Sequence, residues 1–111
     1  MNTLDTYKFL YGIKTDRNGY GKNIMQKNMD CCYNPNCQNT DTTSLVRHEL
    51  FRGSDRQKSK LFGLWIVVCP ACHDLYHADE GKMHIEGQKA FEKYWGAYGL
   101  EFIKVFGRNY L

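Results

Sequence analysis

Cys32-Tyr33-Asn34-Pro35-Asn36-Cys37 and, thirty-two residues further on, Cys69-Pro70-Ala71-Cys72-His73 enclose the run Leu45-Val46-Arg47-His48-Glu49-Leu50-Phe51. Two cysteine pairs at this spacing can close a tetrahedral zinc site, because thiolates are soft, anionic donors that hold Zn2+ at short fixed distances. The residues around the pairs add a second theme. His48-Glu49 lies between them, and His73-x3-His77 begins where the second pair ends. A nitrogen- and oxygen-rich cluster therefore stands beside a scaffold that is rigid only with metal bound. This pattern points to two metal sites, one for folding and one for chemistry.

Size and composition are consistent with that reading. A chain of 111 residues fits one domain and buries a smaller share of its surface than a large protein, so a metal or disulfides commonly support it. Five cysteines leave one over from any complete disulfide framework. Met1 to Lys14 lacks the apolar core of a secretory signal. The longest apolar run, Leu64 to Cys69, is far short of the roughly 20 residues of a membrane span. A reducing cytoplasm is the expected location, and there paired cysteines act as metal ligands more often than as disulfides. The net charge of +3 permits an anionic partner without demanding one.

Along the chain, residues 1–30 form an N-terminal extension: a short element near Leu4 to Tyr11, then a Gly-, Asn- and Lys-bearing loop. Residues 31–111 form the remaining domain. Cys31 to Thr43 is a turn-rich knuckle around Asn34-Pro35-Asn36, in which Cys31 is a poorer fourth thiol than Cys32. Ser44 to Phe51 and Leu64 to Val68 read as strands, joined by a polar segment, Arg52 to Lys60. Pro70 suits the first turn of a helix, so Pro70 to Ala78 is expected to be helical and to break at Gly81. Glu86 to Tyr98 is expected as a second helix, with Ala90, Phe91, Tyr94, Trp95 and Tyr98 on one core face. A short helix, Leu100 to Phe106, follows. The fold class is α+β. His73 and His77, four apart, share a helical face, and a helix packed on a two-stranded ribbon brings them towards His48-Glu49.

In this order of elements the chain resembles the HNH, or ββα-metal, nuclease superfamily. It is most similar to small phage-type HNH proteins with a His-Glu-Ile-Phe, Asn-Arg-x-x-Ser, Gly, apolar strand and Leu-Cys-Pro-x-His-His core. The matching stretches are His48-Glu49-Leu50-Phe51, Asp55-Arg56-Gln57-Lys58-Ser59, Gly63 to Val68 and Cys69 to His73. The resemblance covers about residues 31–111. It implies a zinc-stabilised ββα-metal core with additional C-terminal helices, and hydrolysis of DNA phosphodiesters with a divalent cation such as Mg2+ or Mn2+. It carries Cys32, Cys37, Cys69 and Cys72 onto the structural zinc set and His73 onto a ligand of the catalytic cation. His77 and His84 are further candidate ligands of that cation.

The triplet Arg47-His48-Glu49 departs from the superfamily pattern. Either His48 is a ligand and Glu49 stands at the position of the base, or His48 is the base and Arg47 occupies a ligand position. The middle Asn has no counterpart, Leu64 being nearest. A descendant that has kept the fold and binds DNA or a protein without cutting is the alternative reading. Arg52, Arg56, Lys58 and Lys60 read either as a solvated loop or as a phosphate-gripping surface. Cys69-x-x-Cys72-His73 also matches a c-type haem attachment sequence, a reading that leaves Cys32, Cys37 and His48 unexplained.

Overall fold

The computed structural model describes residues 2–37 and 44–111; the part of the expected knuckle at 38–43 lies outside them. Helix α1 (Thr3–Tyr11) is capped by Asn2, whose side chain accepts the Asp5 N–H at 2.9 Å, and it stops at Gly12 in the left-handed conformation. This helix buries no residue fully. Its Tyr7 instead sets its ring edge-on against Phe62, 5.4 Å between centroids.

Strands β1 (Val46–Glu49) and β2 (Trp65–Val68) form an antiparallel pair with His48 opposite Ile66 and Glu49 opposite Trp65. All four residues of β2 are buried. Its second edge is covered by the N-terminal segment. Tyr33 N–H donates to Val67 O, Val67 N–H to the Gln26 side chain, and the Trp65 indole to Gly21 O. Covering an edge in this way removes the unpaired backbone groups that would recruit another strand. Two glycines permit the approach: a Cβ on Gly21 would overlap the Leu61 carbonyl, and one on Gly63 would overlap the Lys22 carbonyl. The N-terminal extension is thus packed into the domain.

The expected polar segment between the strands holds a 3-10 turn (Gly53–Asp55) and helix α2 (Arg56–Leu61). Six residues are too few to show helical period in sequence. What holds α2 is tertiary. Ser59, fully buried, accepts Phe51 N–H at 3.1 Å and donates to Leu64 O at 2.6 Å, tying the end of β1 to the start of β2.

Helix α3 (Pro70–Ala78) has the expected bounds, with Pro70 in its first turn. Helix α4 (Glu80–Tyr94) begins earlier than expected. The break falls at Asp79, whose backbone (φ −116°, ψ 49°) leaves the helical region, while Gly81 sits in the first turn of α4 with open space around it. After Tyr94 the chain tightens into a 3-10 turn (Trp95–Tyr98) that ends at Gly99, φ 85°. The change of pitch shifts the phase of the apolar face. Phe91 and Trp95 are buried, whereas Tyr98 is exposed. Helix α5 (Phe102–Phe106) adds Phe102 and Phe106 to an aromatic core around Phe62, Phe91 and Phe51. The chain is therefore an α+β fold with a two-stranded sheet and five α-helices among the described residues. No helix among them is long and apolar enough to cross a membrane.

Candidate metal centre

The strand–helix joint carries the first donor cluster. Cys69 lies between β2 and α3 and Cys72 in the first turn of α3, both buried; Cys32 and Cys37 reach them from the segment that covers β2. The four sulfurs lie within 4.8 Å of one another. None is disulfide-bonded, and Cys37 Sγ stands 3.6 Å from Cys69 Sγ. Two N–H groups address the sulfurs at 3.5 Å: Cys69 N–H on Cys32 and the Asn34 side-chain amide on Cys72. Burial, with further contributions from the neighbouring thiols, pushes the Cys72 thiol up to about 12. Four soft donors with N–H groups directed at them suit a cation that takes thiolates, such as zinc. Cys31 is exposed and its sulfur faces Asn28 O, away from the group.

A second cluster joins β1 to α3. His48 from β1 and His73 and His77 from α3 bring one ring nitrogen each within 4.8 Å of the others. His73 Nε2 and His77 Nε2 are 3.0 Å apart, and the His48 ring lies 5.1 Å and 4.7 Å from those of His73 and His77. Burial, and then the His77 and His73 rings, lower His48 to about 4. Burial followed by His73 and Arg52 lowers His77 as well. Neutral imidazoles are the form that binds metal. Arg52 donates to His77 Nδ1 at 3.0 Å, so the ring proton of neutral His77 sits on Nε2, facing His73. Holding a cation through Nε2 requires the ring proton to move to Nδ1, which ends the bond from Arg52; Arg52 then still has the Glu80 carboxylate, 3.3 Å away, as its partner.

Glu49 lines the same cavity, about 310 Å³ in volume, together with the three histidines, Arg52 and Arg56. Its carboxylate is buried, and Oε1 accepts from Arg56 Nε at 2.9 Å and from the Tyr20 hydroxyl at 3.1 Å. Both bonds fall on Oε1, leaving Oε2 without a hydrogen-bond partner among the described residues. Tyr20 has no mark in the sequence as a site residue. It arrives from 29 positions away on a turn that Asp16 organises by accepting the Asn18 and Tyr20 N–H groups. Gly19 belongs to the Gly-, Asn- and Lys-bearing loop expected from the sequence, which says nothing of where Tyr20 goes.

The structure does not bring His84 to this cluster. It lies on α4, its ring stacked on Phe51 at 5.0 Å and 4.6 Å from Tyr110, with Glu80 Oε1 at 3.5 Å. Burial lowers it. The basic residues between the strands are largely engaged internally. Arg52 pairs with Glu80, Arg56 with Glu49 and Lys58 with Asp55, while Lys60 lies 4.6 Å from the centre of the Tyr20 ring.

The chain matches no protein-family model, and no curated protein or solved structure matches it.

Proposed function

We propose that this chain is an HNH-type, ββα-metal endonuclease that hydrolyses DNA phosphodiesters with a divalent cation. The observation that carries the reading is the convergence of three imidazoles and one anchored carboxylate on a single cavity, built across β1 and α3 beside the four-thiol cluster. In this reading Cys32, Cys37, Cys69 and Cys72 hold a structural zinc ion. His48, His73 and His77 hold the catalytic cation, and imidazole donors favour Zn2+, Ni2+ or Co2+ over Mg2+. A cation held there would act as a Lewis acid on the scissile phosphate, offsetting charge in the transition state.

The proximity of His48 to His73 and His77 supports the ligand role for His48 over the base role. Glu49 is then the group that takes the proton from water. Arg56 and Tyr20 fix its Oε1, which leaves Oε2 for that transfer. Carboxylates serve as general bases when they are held within reach of the proton they take. Arg56 positions Glu49 and is not available as a free phosphate clamp.

A second reading, a zinc-stabilised module that binds without cutting, is favoured by one observation. Leu64, nearest to the place of the superfamily's middle Asn, is fully buried in the core and offers nothing to the site. Nicking of supercoiled plasmid decides between the two. The nuclease reading expects nicking by the zinc-loaded protein when Mg2+, Mn2+, Ni2+ or further Zn2+ is added, loss of it with EDTA, and loss of it in His48→Ala. A wild-type protein that cuts with none of these cations leaves the binding module in its place.

A further inference from the structure

With the cations between the strands tied to internal partners, a group of free positive charges lies in the N-terminal segment. Lys14, Lys22 and Lys27 are exposed and make no ion pair among the described residues. All three line one groove of about 700 Å³, more than twice the volume of the histidine cavity. Tyr20 and Trp65 line it too. These two connect it to the site: the Tyr20 hydroxyl bonds Glu49, and Trp65 lies opposite Glu49 in the strand register.

Charge and chemistry select the occupant. The one acid lining the groove among the described residues, Asp16, is already satisfied by Arg47 at 3.0 Å and by the N–H groups of Asn18 and Tyr20. Nothing in the groove therefore neutralises the three lysines. Its wall also carries the Asn23 amide, whose buried Nδ2 has no hydrogen-bond partner among the described residues. Lysines contact phosphates as mobile point charges and read no bases, while the exposed Met29 and the aromatic edge offer apolar surface to sugars.

We infer that this groove holds the sugar-phosphate backbone of the nucleic-acid strand as it leaves the histidine cavity, with Lys14, Lys22 and Lys27 as its phosphate contacts. The inference rests on the nuclease reading for its ligand, but it concerns binding and not cleavage. It makes the N-terminal segment, which the resemblance to HNH proteins does not cover, the main DNA-holding surface.

The test uses the zinc-loaded full chain and a short fluorescent random-sequence duplex, with affinity measured by anisotropy over a series of KCl concentrations. Each phosphate contact contributes about 0.9 to the slope of log affinity against log salt. The triple variant Lys14→Gln, Lys22→Gln, Lys27→Gln should therefore lose about 2–3 from that slope. A charge-matched control, Lys82→Gln, Lys89→Gln, Lys93→Gln, neutralises exposed lysines of α4 and should keep the wild-type slope. A groove variant with the wild-type slope, an equal loss in both triples, or a wild-type chain that binds no duplex each overturns the inference. Loss of slope in the groove variant, from a wild-type protein that binds but never nicks, upholds the inference while the nuclease reading falls. Efficient nicking with an unchanged slope does the reverse.

Discussion

Glu49→Gln separates the two roles open to the His48-Glu49 pair, because it removes one charge and almost nothing else. Glutamine keeps the length of the side chain and a carbonyl oxygen at the place of Oε1, where Arg56 Nε and the Tyr20 hydroxyl donate at 2.9 and 3.1 Å. The Arg56 side chain is 59% exposed against 9% for Glu49. A charge-assisted hydrogen bond contributes about 1.5–3 kcal/mol when shielded, and water around Arg56 reduces that to about 1 kcal/mol. Since the amide oxygen still accepts both bonds, the stability cost should stay at or below about 1 kcal/mol, a fall in Tm of at most about 4–8 °C for a domain near this size. The effect on chemistry should be much larger. Loss of a general base costs about 10²–10⁴-fold, equivalent to about 3–5 kcal/mol of barrier. The assay is single-turnover nicking of supercoiled plasmid at saturating cation, with thermal melting and cation binding measured on the same preparation. Nicking within about tenfold of wild type, below the usual general-base range, would refute Glu49 as the base and return that role to His48.

Cys72→Ser removes one soft donor from the joint of β2 and α3. Structural zinc contributes about 10–16 kcal/mol in small zinc domains, against a total stability of about 5–15 kcal/mol for a domain, so circular dichroism should show an unfolded or aggregated chain. A folded, zinc-free variant melting at the wild-type temperature would refute the structural role. His73→Ala should abolish nicking and strip the catalytic cation while the thiol-bound one remains, as read by elemental analysis of dialysed protein; retention of both cations would count against the three-histidine site. Ser59→Ala should leave the buried Phe51 N–H without its partner, while the Leu64 carbonyl keeps the Leu50 N–H. At about 1–3 kcal/mol for an unsatisfied buried group, urea unfolding should show a clear loss, and a change below about 0.5 kcal/mol, the level of an ordinary surface substitution, would refute the role of the serine as a clip.

Features whose causes are local were legible from residue order. Pro70 in a first helical turn after a dense apolar strand placed α3 at its observed bounds, and His73 and His77 followed onto one face from their spacing of four. The apolar run Leu64 to Val68 announced a fully buried strand. The paired cysteines announced a four-sulfur cluster, because donors at the two ends of such a segment have few other ways to be satisfied. Other features depend on distance in space. Helix α2 is six residues held by a serine clip, and no periodicity window resolves it. The break between α3 and α4 falls at Asp79, one residue outside the helix that Gly81 joins.

At the site the division is sharper. Residue order placed His48 and Glu49 at a strand end and His73 and His77 on a helix. The expected packing of that helix on the ribbon already brought His73 and His77 towards His48, but residue order could not say that His84 stacks on Phe51 instead, or that Arg56 and Tyr20 both close on one carboxylate oxygen. Nor could it say that Arg52, Arg56 and Lys58 spend their charges on Glu80, Glu49 and Asp55, which leaves Lys14, Lys22 and Lys27 as the free cations around the neighbouring groove. The sequence by itself determined the donor types and the elements that carry them, because caps, periodicity and ligand spacing act over a few residues. Only the tertiary structure decided which donors converge and which charges stay free, because an ion pair or a metal cluster depends on separations of about 3–4 Å between groups tens of residues apart in the chain.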